Sequence, residues 1–231
     1  MRAYVGTSGF SYKPWKGAFY PEKIKDAEML AFYATRLTSV EINNTFYRMP
    51  APAMLETWAQ QVPDAFRFVL KTPKQITHIK RLKEVASPFE AFCNRAVAMK
   101  DKLGPLLVQT PPNLKIDVER LSEFLALVPK GIRAAFEFRH TSWFVDEVYE
   151  LLSARDQALC IAESDALTVP FVPTATWGYL RLREIEYSEK DLEAQAQRVR
   201  GAGWQESFVF FKHEDAAKGP AAAEILRRML A

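Results

Sequence analysis

Apolar residues along this chain recur first at every second position, then at every third or fourth, and the rhythm keeps switching. A period of 2 marks a strand and a period near 3.6 a helix. Strands are predicted over Ala3–Thr7, Ser39–Asn43, Phe66–Lys71, Leu106–Gln109, Ala134–Phe138, Ala158–Ala162, Tyr179–Arg183 and Phe208–Lys212. Helices are predicted over Asp26–Leu37, Ala51–Val62, Ser87–Lys102, Asp117–Val128, Ser142–Ala154, Ser188–Arg200 and Ala216–Leu230. Ser87 reads as an N-cap, with Pro88 at the first helical position and Glu90 three residues on. Ser142 reads as a second cap. The Gly104-Pro105 pair reads as a break before the fourth strand. No helix is predicted between Asp165 and Thr176, where Pro170 and Pro173 fall.

Strand and helix therefore alternate eight times, with the crossover helix after strand 6 replaced by a loop. Alternation of this kind implies a mainly parallel sheet with helical crossovers. Eight such units in 231 residues fit a single-domain (β/α)8 TIM-like barrel spanning residues 1–231. An open doubly wound sheet is the alternative, and it calls for a phosphate-binding glycine turn after the first strand. Gly6-Thr7-Ser8-Gly9 is too short for that fingerprint.

The polar residues inside these strands sharpen the picture. Successive strand side chains face opposite ways. With Val40 and Ile42 turned to the helices, Glu41 and Asn43 face the barrel interior near its C-terminal mouth. By the same parity Phe136 and Phe138 face outward while Glu137 and Arg139 face inward. Leu180 and Leu182 face outward while Arg181 and Arg183 face inward. Lys71 lies opposite Phe68 and Leu70, and Gln109 ends the fourth strand in an equivalent place. Lys212 ends the last strand with the parity of Phe208 and Phe210, which leaves its facing open. Buried charges are expensive without partners, and their gathering at one mouth is not something packing requires. The inward set holds two carboxylates and four cations, so an anionic ligand, a phosphate or a carboxylate, is expected.

Composition adds limits. Hydrophobic residues make up 48% of the chain and the net charge is +3, which excludes compositional disorder and a wholesale polycation. Cys93 and Cys160 lie in apolar segments and read as buried free thiols. Reduced thiols, the absence of an apolar leader core in MRAYVGTSGF and the lack of any apolar run near 18 residues point to the cytoplasm and away from a membrane.

Two loops stand out. Residues 11–25 interleave Tyr12, Trp15, Phe19 and Tyr20 with Lys13, Lys16, Lys23 and Lys25, and residues 71–84 carry Lys74, His78, Lys80, Arg81 and Lys83. Aromatic faces stack bases and lysines attract phosphates, so nucleic acid is a second candidate partner. His78, His140 and His213 all follow strands, but no spaced metal motif is present. A divalent metal is compatible with the sequence without being indicated by it, and the cofactor stays unspecified.

The stretches GTSGFSYKPWKGAFYP, SVEINNTFYRMP, FRFVLKTPKQITH, LGPLLVQTPP and AAFEFRHTSW, in that order, together resemble the YecE-like family, a widespread set carrying a domain of unknown function. The resemblance covers most of residues 5–143. Further on, GYLRLREIEYS departs from the family pattern, with Arg183 in place of a histidine and Glu184 in place of a glycine. SFVFFKHED lacks the asparagines that often follow the last strand. The resemblance implies a TIM-like barrel and supplies no reaction. The residues themselves suggest an acid/base enzyme for a small anionic substrate. Glu41 or Glu137 would be the acid/base group and Lys71 its electrophilic or proton-transfer partner. Asn43, Gln109, Arg139 and Arg181 would hold the substrate, and Tyr47, His140 and Trp143 would form the pocket wall.

Overall fold

The computed structural model describes residues 1–212 and 215–231; His213 lies outside them. Eight strands, β1 (Arg2–Ser8), β2 (Ser39–Ile42), β3 (Arg67–Lys71), β4 (Leu103–Gln109), β5 (Ala134–Glu137), β6 (Ala158–Ala162), β7 (Trp177–Leu182) and β8 (Glu206–Phe211), close into one barrel. All eight pairings are parallel, with β1 against both β2 and β8. The outer ring holds α1 (Met29–Arg36), α2 (Asn44–Tyr47), α3 (Pro52–Gln60), α4 (Ala86–Ala96), α5 (Val118–Leu127), α6 (Asp146–Ser153), α7 (Glu189–Gly201) and α8 (Lys218–Met229). No α-helix joins β6 to β7, as the prolines there predict.

Two cores follow from strand parity. Val40, Ile42, Phe68, Leu70, Phe136, Phe138, Leu180 and Leu182 belong to the layer between sheet and helices. Tyr4, Val69, Leu107, Ala135, Cys160, Trp177, Tyr179, Phe208 and Phe210 fill the lumen. Small residues on β5 and β6 leave room for the large rings of β7 and β8, and Tyr4 stacks on Phe208 at 4.8 Å. The N-terminal end is plugged by Arg133, which lies over Trp177 and Phe208 and pairs with Glu206 at 2.7 Å. The lumen is thus solid below, and polar groups are confined to its upper end.

Several element boundaries differ from the sequence expectation. Val85, not Ser87, caps α4, because buried Val85 anchors the first turn and its carbonyl accepts from Phe89 N at 2.9 Å. Pro88 then sits within that first turn, where a missing N–H costs nothing. The helix stops at Ala96 and passes into a 3-10 segment, Val97–Lys102, interrupted at Lys100 with φ 51°. Gly104 and Pro105 lie inside β4, at a shift of register against β3 between Phe68 and Leu70. A bulge is one of the few sheet positions that tolerates proline. Ser142 does not cap α6; it lies in a 3-10 turn, Thr141–Trp143, and its Oγ accepts from Ile116 N at 2.8 Å. Asn43 has left β2, and β7 starts two residues before the predicted strand.

Candidate functional site

Three strands bring their inward side chains together at the C-terminal end of the lumen. Arg181 on β7 donates from Nη2 to Oε1 of Glu41 on β2 and from Nη1 to Oε2 of Glu137 on β5, both at 2.7 Å. All three are buried, at 4%, 0% and 1% exposure. Glu41 accepts further bonds from Ser8 Oγ at 2.9 Å, Asn43 Nδ2 at 3.1 Å and Tyr179 Oη at 2.7 Å. Glu137 accepts from Gln109 Nε2 at 2.9 Å, Arg183 Nη2 at 2.9 Å and Arg139 Nη1 at 3.3 Å. Both carboxylates are therefore saturated with donors.

The electrostatics follow from that geometry. Burial pushes the Glu41 carboxyl up, but Arg181, Tyr179 and Ser8 outweigh it and hold the group below its usual range. Burial opposes ionisation of Glu137 too, yet Arg181, Arg183 and Arg139 drive it down to about 2. Lys71, at the end of β3, behaves oppositely. Burial, then the field of Arg181, lowers its ammonium to about 8 against the pull of Glu137 and Glu41. Among the described residues Lys71 makes no ion pair within 4 Å. Its Nζ rests 4.3 Å from the centroid of the Phe46 ring, against which His78 lies edge-on at 4.8 Å and Tyr47 edge-on at 5.1 Å. The His78 imidazole is held below its ordinary value by burial and by Lys71 and Arg139. Two anions against Lys71, Arg139, Arg181 and Arg183 leave a formal surplus of two positive charges (4 − 2) at the mouth.

The remaining expected residues are Tyr47, His140 and Trp143. Tyr47 is 71% exposed on α2, beside Lys74. His140 accepts from Ser142 N at 3.1 Å and caps the 3-10 turn. Trp143 is buried in the outer layer, stacked on Phe138 at 4.5 Å, with its indole N–H donating to Leu114 O. The sequence pattern did not single out Ser8, Tyr179 or Phe46. Ser8 shares the inward parity of Tyr4, and Tyr179 that of Arg181, so parity alone contained their signal. In residues 11–25 the rings of Trp15, Phe19 and Tyr20 are buried. Lys212 is exposed, its N–H bonded to Leu182 O. Beside the mouth a cleft of about 390 Å³ is lined by Phe10, Ser11, Asn43, Asn44, Trp58 and Gln61, among others. Among the described residues no three His, Cys, Asp or Glu side chains form a group that could hold a metal ion, and no helix is long and apolar enough to cross a membrane.

A family model described as "Protein of unknown function DUF72" matches residues 4–231. The UPF0759 protein YecE of Escherichia coli K12 is 27% identical over 142 residues, which is 61% of this chain and 50% of that protein. The chain thus spans about half the length of the curated relatives it matches. A DUF72 family crystal structure from Thermotoga maritima superposes with a TM-score of 0.87 at 27% identity, covering 100% of this chain and 99% of the other. One from Enterococcus faecalis gives a TM-score of 0.84 at 19% identity over 99% and 95%. A methyltransferase from Methanosarcina mazei gives 0.52 at 11% identity over 98% and 93%. The last two likenesses concern the fold alone.

Proposed function

The chain belongs to the DUF72 family of proteins of unknown function, and from that premise we propose that it is an enzyme acting on a small anionic substrate, phosphorylated or carboxylated, at the C-terminal mouth of its barrel. The observation that carries this reading is the division of charge across Arg181. Its guanidinium bridges both carboxylates, Arg183 and the one-third-exposed Arg139 share Glu137 with it, and Lys71 adds a fourth cation against the two anions. A barrel mouth of this kind is the usual place for catalysis. Glu41 and Glu137 hold and polarise the guanidinium, since carboxylates so depressed are weak bases. Proton transfer falls to Lys71, whose amine changes state near neutrality. Asn43 and Gln109 fix the carboxylates, and Arg139 takes the anion of the substrate. A nucleic-acid partner has less support, because three of the four rings expected to stack bases, Trp15, Phe19 and Tyr20, are buried.

A thermal-shift screen of phosphorylated and carboxylated metabolites tests the proposal. Stabilising ligands are expected, and Arg139→Ala should abolish the shift while leaving the far-UV spectrum unchanged. Retention of every shift in Arg139→Ala would place the anion site elsewhere.

A further inference from the structure

We propose that Lys71 is a covalent nucleophile, condensing through its Nζ with the carbonyl carbon of an anionic aldehyde or 2-oxo acid. This rests on the anion-binding reading above and names its substrate class. The mouth offers few nucleophiles. Ser8 Oγ donates to Glu41, a carboxylate too weakly basic to activate it. The Cys160 thiol is buried below the charged layer and burial holds it protonated. Lys71 differs from both. Its amine is backed by the face of Phe46, which favours a cation without supplying a carboxylate to lock the proton on. An amine in a cationic, largely desolvated setting is the usual form of a Schiff-base lysine.

The step balances without a redox partner. The neutral amine attacks the carbonyl carbon, a C–N bond forms, and the C=O π electrons move to oxygen, which takes a proton. The nitrogen loses a proton, the hydroxyl takes one and departs as water, and the nitrogen lone pair closes the C=N bond of a protonated imine. Net, one amine, one carbonyl and one proton give one iminium and one water. The new cation keeps the contact with Phe46, and the carboxylate or phosphate of the substrate neutralises Arg139 at the same mouth.

The full chain is incubated at pH 8 with glyoxylate or pyruvate and sodium cyanoborohydride, then digested and mapped by mass spectrometry. An ordinary lysine, with a pKa of about 10.4, is under ~1% neutral at that pH, so Lys71 should be reduced roughly tens of times faster than exposed lysines. Lys71→Met and Lys71→Arg should lose the adduct, Arg139→Ala should diminish it, and uncharged acetaldehyde should label Lys71 poorly. Equal labelling of many lysines, or an adduct that persists in Lys71→Arg, overturns the proposal. Lactate, which has no carbonyl to attack, separates the two readings. Stabilisation by lactate without any glyoxylate or pyruvate adduct leaves anion binding standing and removes the imine. Neither stabilisation nor adduct removes both.

Discussion

Arg181, buried, and Lys71, half-buried, show how two cations in one mouth acquire opposite characters. Arg181 is flanked by two carboxylates at 2.7 Å, so its charge is fully answered. Glu137→Gln would leave Arg181, Arg183 and Arg139 under-compensated, and breaking a buried pair costs about 3–5 kcal/mol. The urea midpoint of Glu137→Gln should fall accordingly, with an unchanged m-value. Lys71→Met should not fall, because the amine is held against its own hydration. The pH dependence gives the sign independently. The amine titrates at about 8 in the fold and at 10.5 when unperturbed, so between those values the unfolded chain binds more protons. Stability should therefore rise as pH climbs from 8 towards 10.5. That rise should vanish in Lys71→Met, and its persistence there would assign it to another group. Glu41, Glu137 and Arg181 were legible in the sequence because parity within a strand fixes the face. The direction of Trp143 was not, since it follows a strand end, where alternation no longer governs direction. Trp143 turns back into the outer layer because its indole finds Leu114 O there.

At the level of elements, the mouth depends on how closely β1 approaches β2. Gly6 pairs with Ser39, and a Cβ at Gly6 would stand 1.8 Å from Ser39 O. The same carbonyl accepts from Tyr33 Oη at 2.9 Å, and that hydroxyl also accepts from Thr7 N at 2.8 Å. The contact is backbone against backbone, so no side chain can swing away to relieve it. Gly6→Ala should cost more than the roughly 1–3 kcal/mol of ordinary overpacking, measured as a lowered urea midpoint. It should also shift the backbone amide resonance of Ser8, whose hydroxyl bonds Glu41 two residues beyond the clash. Wild-type stability in Gly6→Ala would mean that the two strands can separate at no cost. Element types were readable from periodicity, whereas their ends were not. Gly104-Pro105 looks like punctuation in the sequence, yet a register shift absorbs it within β4. Ser87 and Ser142 have the composition of caps, but Val85 and a 3-10 turn take those places through burial and a tertiary bond to Ile116.

Across the whole molecule, closure of the ring converts a local charge cluster into a fastening between distant strands. The hydrogen-bonded set around Arg181 spans β1, β2, β4, β5 and β7, which share no local sequence. Eightfold alternation was enough to read this closure, but the rhythm records where side chains point and not what they hold, so the substrate is silent in it. The cluster has a global consequence in acid. Glu137 titrates at about 2 in the fold against an ordinary 4.5, and Glu41 is lowered in the same direction. The stability they contribute is fully present above pH 4.5 and is lost as pH falls from 4.5 towards 2. Because the strands form one closed sheet, the loss should be cooperative, with near-UV and far-UV circular dichroism moving together. Glu137→Gln, already destabilised at pH 7, should show a flatter decline across that window, since one of its protons is no longer taken up on unfolding. An unchanged slope in Glu137→Gln would show that the acid sensitivity of the fold arises outside the barrel mouth.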